Sequence, residues 1–469
     1  MQPSSHISHR QSSERLSPAT KFLFALGAHA DSALQISKML FLMFFYTELF
    51  KLGSVAVSGA IMVGTIWDAV TDPVMGVISD RTRTRFGRRR PYILIAAFGY
   101  PLAFILLWLA PRGASTLLVL AYLAATNVLL TTMLTIGMTP YSALSAELTL
   151  DYDERNSLYA YRQAFFHLGA LIGSYMIWFV GRFGGGTTGF RHTAVLYGAF
   201  ASACFLSVFG CVRERKEFQR RSTVFRARQI LEVFRNRGFT VILSAMIIMW
   251  SGAMMSNAML VYIVRYLIGR TAMLSYGYTV WMACGVLFTP LWRLYGKYVD
   301  KKLAFATSVA AMAVIYILSL VMITPRLPYL LLLWAGLVGA ATPGGPLFAG
   351  SMIADAIDFD ELRTGMRREG IYSGVYTFAM KMSVAIGTLL VGVGLRFVGY
   401  VPGEMQTDQT IQLMRFVFAF PAVTYVGSSF YIMKYPLVRA RMRQIRQQLD
   451  ARRITEATDR EQLTNTIGR

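Results

Sequence analysis

Charge is scarce in this chain, and acid is the scarcer sign. Asp and Glu number 25 among 469 residues, against 47 Lys and Arg, and charged residues make up 15% of the whole. A soluble domain carries about a quarter charged residues, so an ordinary water-facing surface is excluded. Cysteine is nearly absent: Cys204, Cys211 and Cys284 are scattered without CxxC spacing. That rules against a disulfide framework or a thiolate metal site and leaves three small packing residues. A secretory signal is missing too. The opening "MQPSSHISHRQSSERLSPATK" is polar, Ser-rich and basic, with no apolar h-region. Residues 1–20 read as a short disordered cytoplasmic tail, with an Arg/Ser bias faintly like a transit peptide.

What is present is apolar. The composition is 55% hydrophobic with a mean hydropathy of +0.45. Runs such as "YILIAAFGYPLAFILLWLA" and "LAFATSVAAMAVIYILSLVMI" reach the ~20 residues that a helix needs to cross hydrocarbon. About twelve segments have spanning length. The expected fold class is all-α integral membrane, with residues 21–212 and 238–435 as two bundles of helices. A basic linker, 213–237, joins them, and a basic tail, 436–469, follows. In the linker, Val224, Ile230, Leu231 and Phe234 are spaced for an amphipathic helix on the membrane surface or sit in a solvated connection. The loops "DRTRTRFGRRRP" and "RLYGKYVDKK" hold equivalent places in the two halves and set Gly beside cations in both, a faint echo of duplication.

The net charge of +22 invites a nucleic-acid reading, but its distribution opposes one. Cations crowd every second loop, with Arg81, Arg83, Arg85, Arg88, Arg89 and Arg90 in one of them, while "APRGAS" and "ITPRLP" between them carry few. That alternation is the positive-inside signal. It places the even loops and both tails in the cytoplasm and makes the lipid bilayer the partner.

Against this background some charges stand out. In "WDAVTDPVMGVISDRTRTRFGRRRP" a membrane-grade helix carries two carboxylates, each costing about 2.5–3.5 kcal/mol at the bilayer centre on insertion scales. Asp68 lies about 18 Å of helix before Asp80, near the midplane. Asp72 follows one turn later on the same face. Two such acids repel when both are ionised, so the pair should favour binding H⁺ or Na⁺. Oxygen ligands suit hard cations, and Thr71 or Thr135 can complete a shell. Asp31, Arg162, Gln163, His167 and Lys381 are further polar groups within apolar segments. Acids and cations of this kind neutralise one another along ion and substrate paths, although salt bridges between helices would use the same residues. Tyr372 and Tyr376, with Tyr276, Tyr278 and Trp281, offer ring faces suited to a sugar, or to ordinary packing and interfacial belts.

Together these residues resemble the glycoside–pentoside–hexuronide:cation symporters, the melibiose permease-like branch of the major facilitator superfamily. The stretch "IWDAVTDPVMGVISDRTRTRFGRRRPYI" is similar to the family's second-helix signature, "DYDERNSLYAYRQAF" to its lead into helix five, and "SMIADAIDFDELRTGMRREGIYSGVYTFAMKMSVAIG" to its eleventh helix with the preceding loop. The resemblance implies a major facilitator fold of twelve helices in two six-helix halves. It also implies alternating access and symport of a sugar or glycoside with H⁺ or Na⁺, without a further cofactor. It places the cation site on Asp68 and Asp72, with Thr71 and Thr135 beside them and Lys381 as the coupling lysine. Those two acids would hold metal only with Na⁺ as the ion. Asp31, Arg162, Tyr376 and Thr377 would line the substrate path, and Asp80, Arg81, Arg88, Arg89 and Arg90 would form a cytoplasmic gate. The expected setting is a bacterial inner membrane, and the expected state a monomer.

Two departures bear on the cargo. Asp31 falls one residue out of register with the family's helix-one aspartate, at Ser32, and the helix-four acid is replaced near Met138. A missing carboxylate removes charge-assisted hydrogen bonds to sugar hydroxyls, which argues against galactosides. The family's asparagine beside the cation acids is Thr71 here, which favours H⁺ over Na⁺. Two alternatives stay open. One is a lysophospholipid or other amphipathic small molecule carried by the same fold. The other is a membrane transferase in which "DAVTD" and "DAIDFDE" hold Mg²⁺ on a diphosphate.

Overall fold

The computed structural model describes residues 16–148, 152–212, 232–366, 368–449 and 451. The first tail positions and most of the linker, including Val224, Ile230 and Leu231, lie outside the described residues.

Long apolar stretches with no water to satisfy their backbone must close their hydrogen bonds internally, and helices do so. In the first half, α1 spans Pro18–Phe44 and continues as a π turn at Phe45–Leu49; α2 spans Ser54–Arg81, α3 Arg90–Leu107 and α4 Thr116–Glu147. The rod α5 runs over Tyr152–Ser174 and, after a bend, Met176–Arg182, and α6 spans Gly186–Cys211. In the second half, α7 spans Arg237–Ile263 with a π turn at Val264–Ile268, α8 Ala272–Tyr298 and α9 Lys301–Met322. The rod α10 joins Leu330–Ala341 to Gly344–Thr364, α11 spans Glu369–Phe397, and α12 joins Asp408–Ala419 to Pro421–Ile432.

Among the described residues ten of these rods are long and apolar enough to cross a membrane, and the 41° bent pair in α5 makes an eleventh. The remaining rod, α1, carries Lys21, His29, Asp31 and Lys38 along its length. Side-chain oxygens occupy several helix starts: Ser17 accepts from Thr20 N, Asn236 from Gly238 N and Phe239 N, and Asp300 from Lys302 N. Each such cap is worth about 1 kcal/mol.

Packing follows one rule twice. Helix α1 packs on α5 and α6, α2 on α4, and α3 on α4 and α6; α7 packs on α11 and α12, α8 on α10, and α9 on α10 and α12. Adding six to each member of the first set gives the second, the relation expected of duplicated halves. The halves meet through α2 with α11, α5 with α8, and α1 with α7, again a symmetric set.

That seam is tight at one end. At the end opposite the arginine-rich loops, Thr47 Oγ1 and Tyr262 Oη share a hydrogen bond of 2.7 Å, and Tyr266 Oη donates to Glu48 Oε1 at 2.5 Å. Tyr400 Oη donates to the same Glu48 oxygen. Burial first, with Tyr262 and the Glu48 charge beside it, pushes the Tyr400 phenol far above its ordinary range, so it remains a donor. Ser54 Oγ donates to Gly392 O at 2.8 Å. A Cβ at Gly392 would stand 2.1 Å from Ser58 Oγ, so only glycine lets α2 and α11 approach this closely.

At the cation-rich end, the ion pairs among the described residues stay within one half. Lys21 meets Glu154 at 2.7 Å, and Arg89 meets Asp80 at 3.0 Å. Across the molecule, Lys301 meets Asp355 at 2.5 Å, Arg446 meets the same acid at 3.1 Å, and Arg368 bridges Asp360 and Glu232 at 2.7 and 2.5 Å. Burial opposes the charge of Arg368, but its two carboxylate partners outweigh that and hold the guanidinium above its usual range. A path between the halves is thus shut at the end opposite the arginine-rich loops.

Candidate functional site

Midway along the seam, the six residues of α2 from Asp68 to Pro73 face α4 and α11. Pro73 has no N–H to give its own helix, directly after Asp72. Asp68 Oδ2 and Asp72 Oδ2 both face Lys381 Nζ, at 2.6 and 2.5 Å. The lysine comes from α11 and both acids from α2, so this ion cluster spans the halves. Asp68 has a side chain 10% exposed, Asp72 29% and Lys381 22%. The cluster is therefore screened on the Asp68 side and wetted on the Asp72 side.

The remaining carboxylate oxygens face hydroxyls. Thr135 Oγ1 on α4 lies 2.8 Å from Asp68 Oδ1 and 3.1 Å from Asp72 Oδ1. It has one proton, so it donates to one acid at a time while its lone pairs stay available. Thr71 Oγ1 lies 3.4 Å from Thr135 Oγ1 and donates to Trp67 O at 3.0 Å. Thr139 Oγ1 donates to Asp72 Oδ1 at 3.3 Å. Thr139 went unnoticed in the sequence, although it lies one helical turn after Thr135, on the same face. The Oδ1 side thus offers two carboxylates and up to three hydroxyls, a hard-oxygen set fit for a small monovalent ion. Two carboxylates and one ammonium leave a formal charge of −1, which one further cation would cancel.

Other residues singled out in the sequence are placed differently. Asp31 is buried on α1, and Tyr100 Oη of α3 donates to its Oδ1 at 3.2 Å. Thr377 is exposed and lies one turn before Lys381 on α11, while Tyr376 is half-buried against the apolar core. Arg162 is held against α4: its Nη1 donates to Ser145 Oγ at 2.8 Å, and its guanidinium lies 4.8 Å from the Tyr141 ring centre. Its Nε is buried without a partner. Gln163 Nε2 and His167 Nε2 are 3.0 Å apart on α5.

Tyr372 leaves the set of sugar-facing rings. It is fully buried, accepts from Asn236 Nδ2 at 3.0 Å and packs edge-on against Phe239, so it braces the start of α11. Of the gate residues, Asp80 pairs with Arg89 of its own loop, and Arg90 donates to Phe209 O at 2.8 Å while lying over the Phe209 ring. Arg88 is buried and Arg81 exposed. The turn that carries them closes at Thr84–Gly87, where Gly87 has φ 107, a value open to glycine and strained for other residues. Their described bonds brace the first half rather than reach across to the second.

The second acidic stretch, "DAIDFDE", spends Asp355 and Asp360 on the pairs given above. Among the described residues, no group of three or more His, Cys, Asp or Glu comes together as a metal site. A transferase holding Mg²⁺ on a diphosphate would need such a group.

The chain also encloses a cavity of about 300 Å³. Most of its wall belongs to the second half, including Trp250, Tyr278, Trp281, Tyr316 and Trp334, and α1 and α5 contribute Ile36, Met39 and Phe166.

Comparison with known proteins fits this arrangement. A family model described as MFS/sugar transport protein matches residues 23–439. The uncharacterized symporter YnaJ of Bacillus subtilis is 29% identical over 85% of this chain and 87% of its own length. The isoprimeverose transporter of Lactiplantibacillus pentosus is 25% identical over 83% of this chain and 82% of its own. Among solved structures, a D-xylose–proton symporter superposes with a TM-score of 0.63 at 13% identity, covering 89% of this chain and 96% of the other, which is a likeness of fold.

Proposed function

We propose, for a chain that belongs to the MFS/sugar transport protein family, that it is a cation-coupled symporter of a sugar or glycoside working by alternating access. It is a multi-pass membrane transporter and not an enzyme. The observation that carries the coupling is the cluster of Lys381 with Asp68 and Asp72 at 2.6 and 2.5 Å.

The two halves compete for the same two carboxylates. An incoming H⁺ or Na⁺ would bind on the Oδ1 side, with Thr135, Thr71 and Thr139 as further donors or ligands, and so weaken the hold of Lys381. Because Lys381 belongs to the second half, ion binding is converted into a change in how the halves are latched. Asp31 and Thr377 lie on the helices that face the same central path and would orient the substrate's hydroxyls. Arg162 bears on it from α5, through the wall it shares with Tyr141. The Thr47–Tyr262 and Glu48–Tyr266–Tyr400 contacts form the latch on the far side. The one chain encloses the path between its own halves, so a monomer suffices. The cation-rich loops support a cytoplasmic placement of that end, and bacterial symporters among the relatives support an inner-membrane setting.

The test is substrate-evoked current in proteoliposomes, with a panel of hexoses, pentoses, uronic acids and their glycosides, for wild type and Asp68→Asn. Current with one sugar class that disappears in the variant is the expected result. Current that persists in Asp68→Asn would remove the carboxylate pair from the mechanism.

A further inference from the structure

We infer that the cation-rich end of the second half carries a binding site for a phosphate group, walled by the start of α9 and a short helix beyond α12. The inference stands apart from the symport reading, since none of its residues belongs to the ion cluster.

After α12 the chain turns, and residues 439–449 form a further helix. Met442, Ile445 and Leu449 are buried at helical spacing, while Arg439, Arg441, Arg443 and Arg446 are exposed. One face therefore lies on the bundle and the other meets water. Acids hold it there. Arg446 Nη2 meets Asp355 Oδ1 of α10 at 3.1 Å, and Arg439 N donates to Asp300 Oδ2, just before α9, at 3.0 Å. Between this helix and α9 lies a cavity of about 240 Å³.

The charges in its wall favour an anion. Lys301, Arg439, Arg443 and Arg446 line it, against Asp300 and Asp355, and both acids are engaged. Asp355 is 1% exposed, with Lys301 on one oxygen and Arg446 on the other. Asp300 accepts from Lys302 N and from Arg439 N. Asp358, outside the lining, faces Arg446 Nε at 3.6 Å, and even with it four cations stand against three acids. Two guanidiniums keep capacity. Arg439 spends Nη2 on Gly296 O and Val299 O, both at 3.0 Å, and neutral carbonyls leave its charge uncancelled. Arg443 lines the cavity yet makes no ion pair or hydrogen bond among the described residues.

Guanidinium forks match phosphate oxygens in pairs, with strong charge-assisted bonds. The surroundings favour a lipid as the source. Tyr298 and Leu303, two residues from Asp300 and Lys301, are 79% and 44% exposed, so an apolar surface runs up to the rim. That end, read as cytoplasmic from its loops, meets a leaflet that carries anionic lipid. A headgroup phosphate would sit on Arg439 and Arg443, with its chains along that surface. A soluble phosphomonoester offers the same oxygens without the chains.

The experiment uses the full chain, stripped of lipid in a neutral detergent, at fixed ionic strength in chloride. Its unfolding temperature is followed as dihexanoylphosphatidylglycerol, glycerol 3-phosphate or dihexanoylglycerol is added; the last has the chains without the phosphate. A ligand of the folded form raises that temperature according to its affinity. Dihexanoylphosphatidylglycerol should raise it at concentrations where dihexanoylglycerol does not. Arg443→Gln should weaken that response roughly tenfold or more, as for loss of a bond between charged groups. Arg441→Gln, exposed on the same helix but outside the cavity, should leave it intact. Neither arginine has a described partner, so both variants should unfold like wild type without ligand. Glycerol 3-phosphate as effective as the lipid would support a soluble phosphate as occupant, and the lipid alone a headgroup. No response to either phosphate compound, an equal response to dihexanoylglycerol, or the same affinity in both variants would overturn the inference and leave the symport reading standing.

Discussion

Replacing Lys381 by Met gives the sharpest prediction. Its ammonium stands 2.6 and 2.5 Å from two carboxylates, and any coupling cation drawn to that pair feels its repulsion. Two unit charges 4 Å apart interact by about 4 kcal/mol at an effective dielectric of 20 and by about 1 kcal/mol in water. With Asp68 10% and Asp72 29% exposed, the site lies between those limits, at about 1–3 kcal/mol. At about 1.4 kcal/mol per tenfold, Lys381→Met should tighten cation binding by roughly five- to a hundredfold. Translocation coupled to that cation should be lost, because the ion bridge from α11 to the two α2 acids is gone. Trp67, half-exposed and directly before Asp68, provides a fluorescence signal, with Trp67→Phe as the blank. Titrations with Na⁺ and Li⁺ at pH 8, and a pH titration without them, identify the ion. Unchanged or weaker affinity for every cation in Lys381→Met would refute the competition between lysine and ion.

Further predictions follow from the same contacts. Thr135→Val removes the hydroxyl shared by both acids and should weaken cation binding about tenfold, since bonds to charged groups are worth about 1.5–3 kcal/mol; Thr139→Val, with one contact at 3.3 Å, should cost less in the same titration. Glu48→Gln weakens the latch to Tyr266 and Tyr400 and should lengthen the distance between spin labels placed on the far ends of α1 and α7. Gly392→Leu cannot close the α2–α11 crossing, so substrate binding should survive while transport stops, measured by equilibrium binding beside uptake. Arg368→Ala removes the nearer of two arginines from Asp360, which is 1% exposed, and leaves Arg363 at 3.6 Å; breaking a buried pair costs about 3–5 kcal/mol, and the lower end of that range is expected, visible as a lowered unfolding temperature in detergent.

The ion cluster was legible in the sequence because charge inside an apolar helix is conspicuous. Asp68 and Asp72 stand a turn apart, and Lys381 lies well inside an apolar segment of the second half. Thr139 escaped because a threonine hydroxyl in an apolar helix usually bonds its own backbone, as Thr131 does to Asn127 O, and Tyr100 because the partner of its phenol depends on which helix packs beside it. Tyr372 and Tyr376 looked alike, one turn apart, but the start of α7 covers only the first of them. The cavity was hidden for a related reason: methionines and aromatics at helical spacing read as core until the helices are arranged around a void. The pairing rule by which α1–α6 map onto α7–α12 was barely visible in "DRTRTRFGRRRP" and "RLYGKYVDKK", because packing preserves shape long after side chains diverge.

The central claim is that ion binding at Asp68 and Asp72 drives solute movement. The direct measurement is solute accumulation in proteoliposomes under an imposed inward Na⁺ or H⁺ gradient, using whichever sugar or glycoside evokes current. Wild type should concentrate the solute above its external level and lose that on collapse of the gradient, while Asp68→Asn should at most equilibrate it. Accumulation by Asp68→Asn equal to wild type, or equilibration alone by wild type under both gradients, would contradict the account.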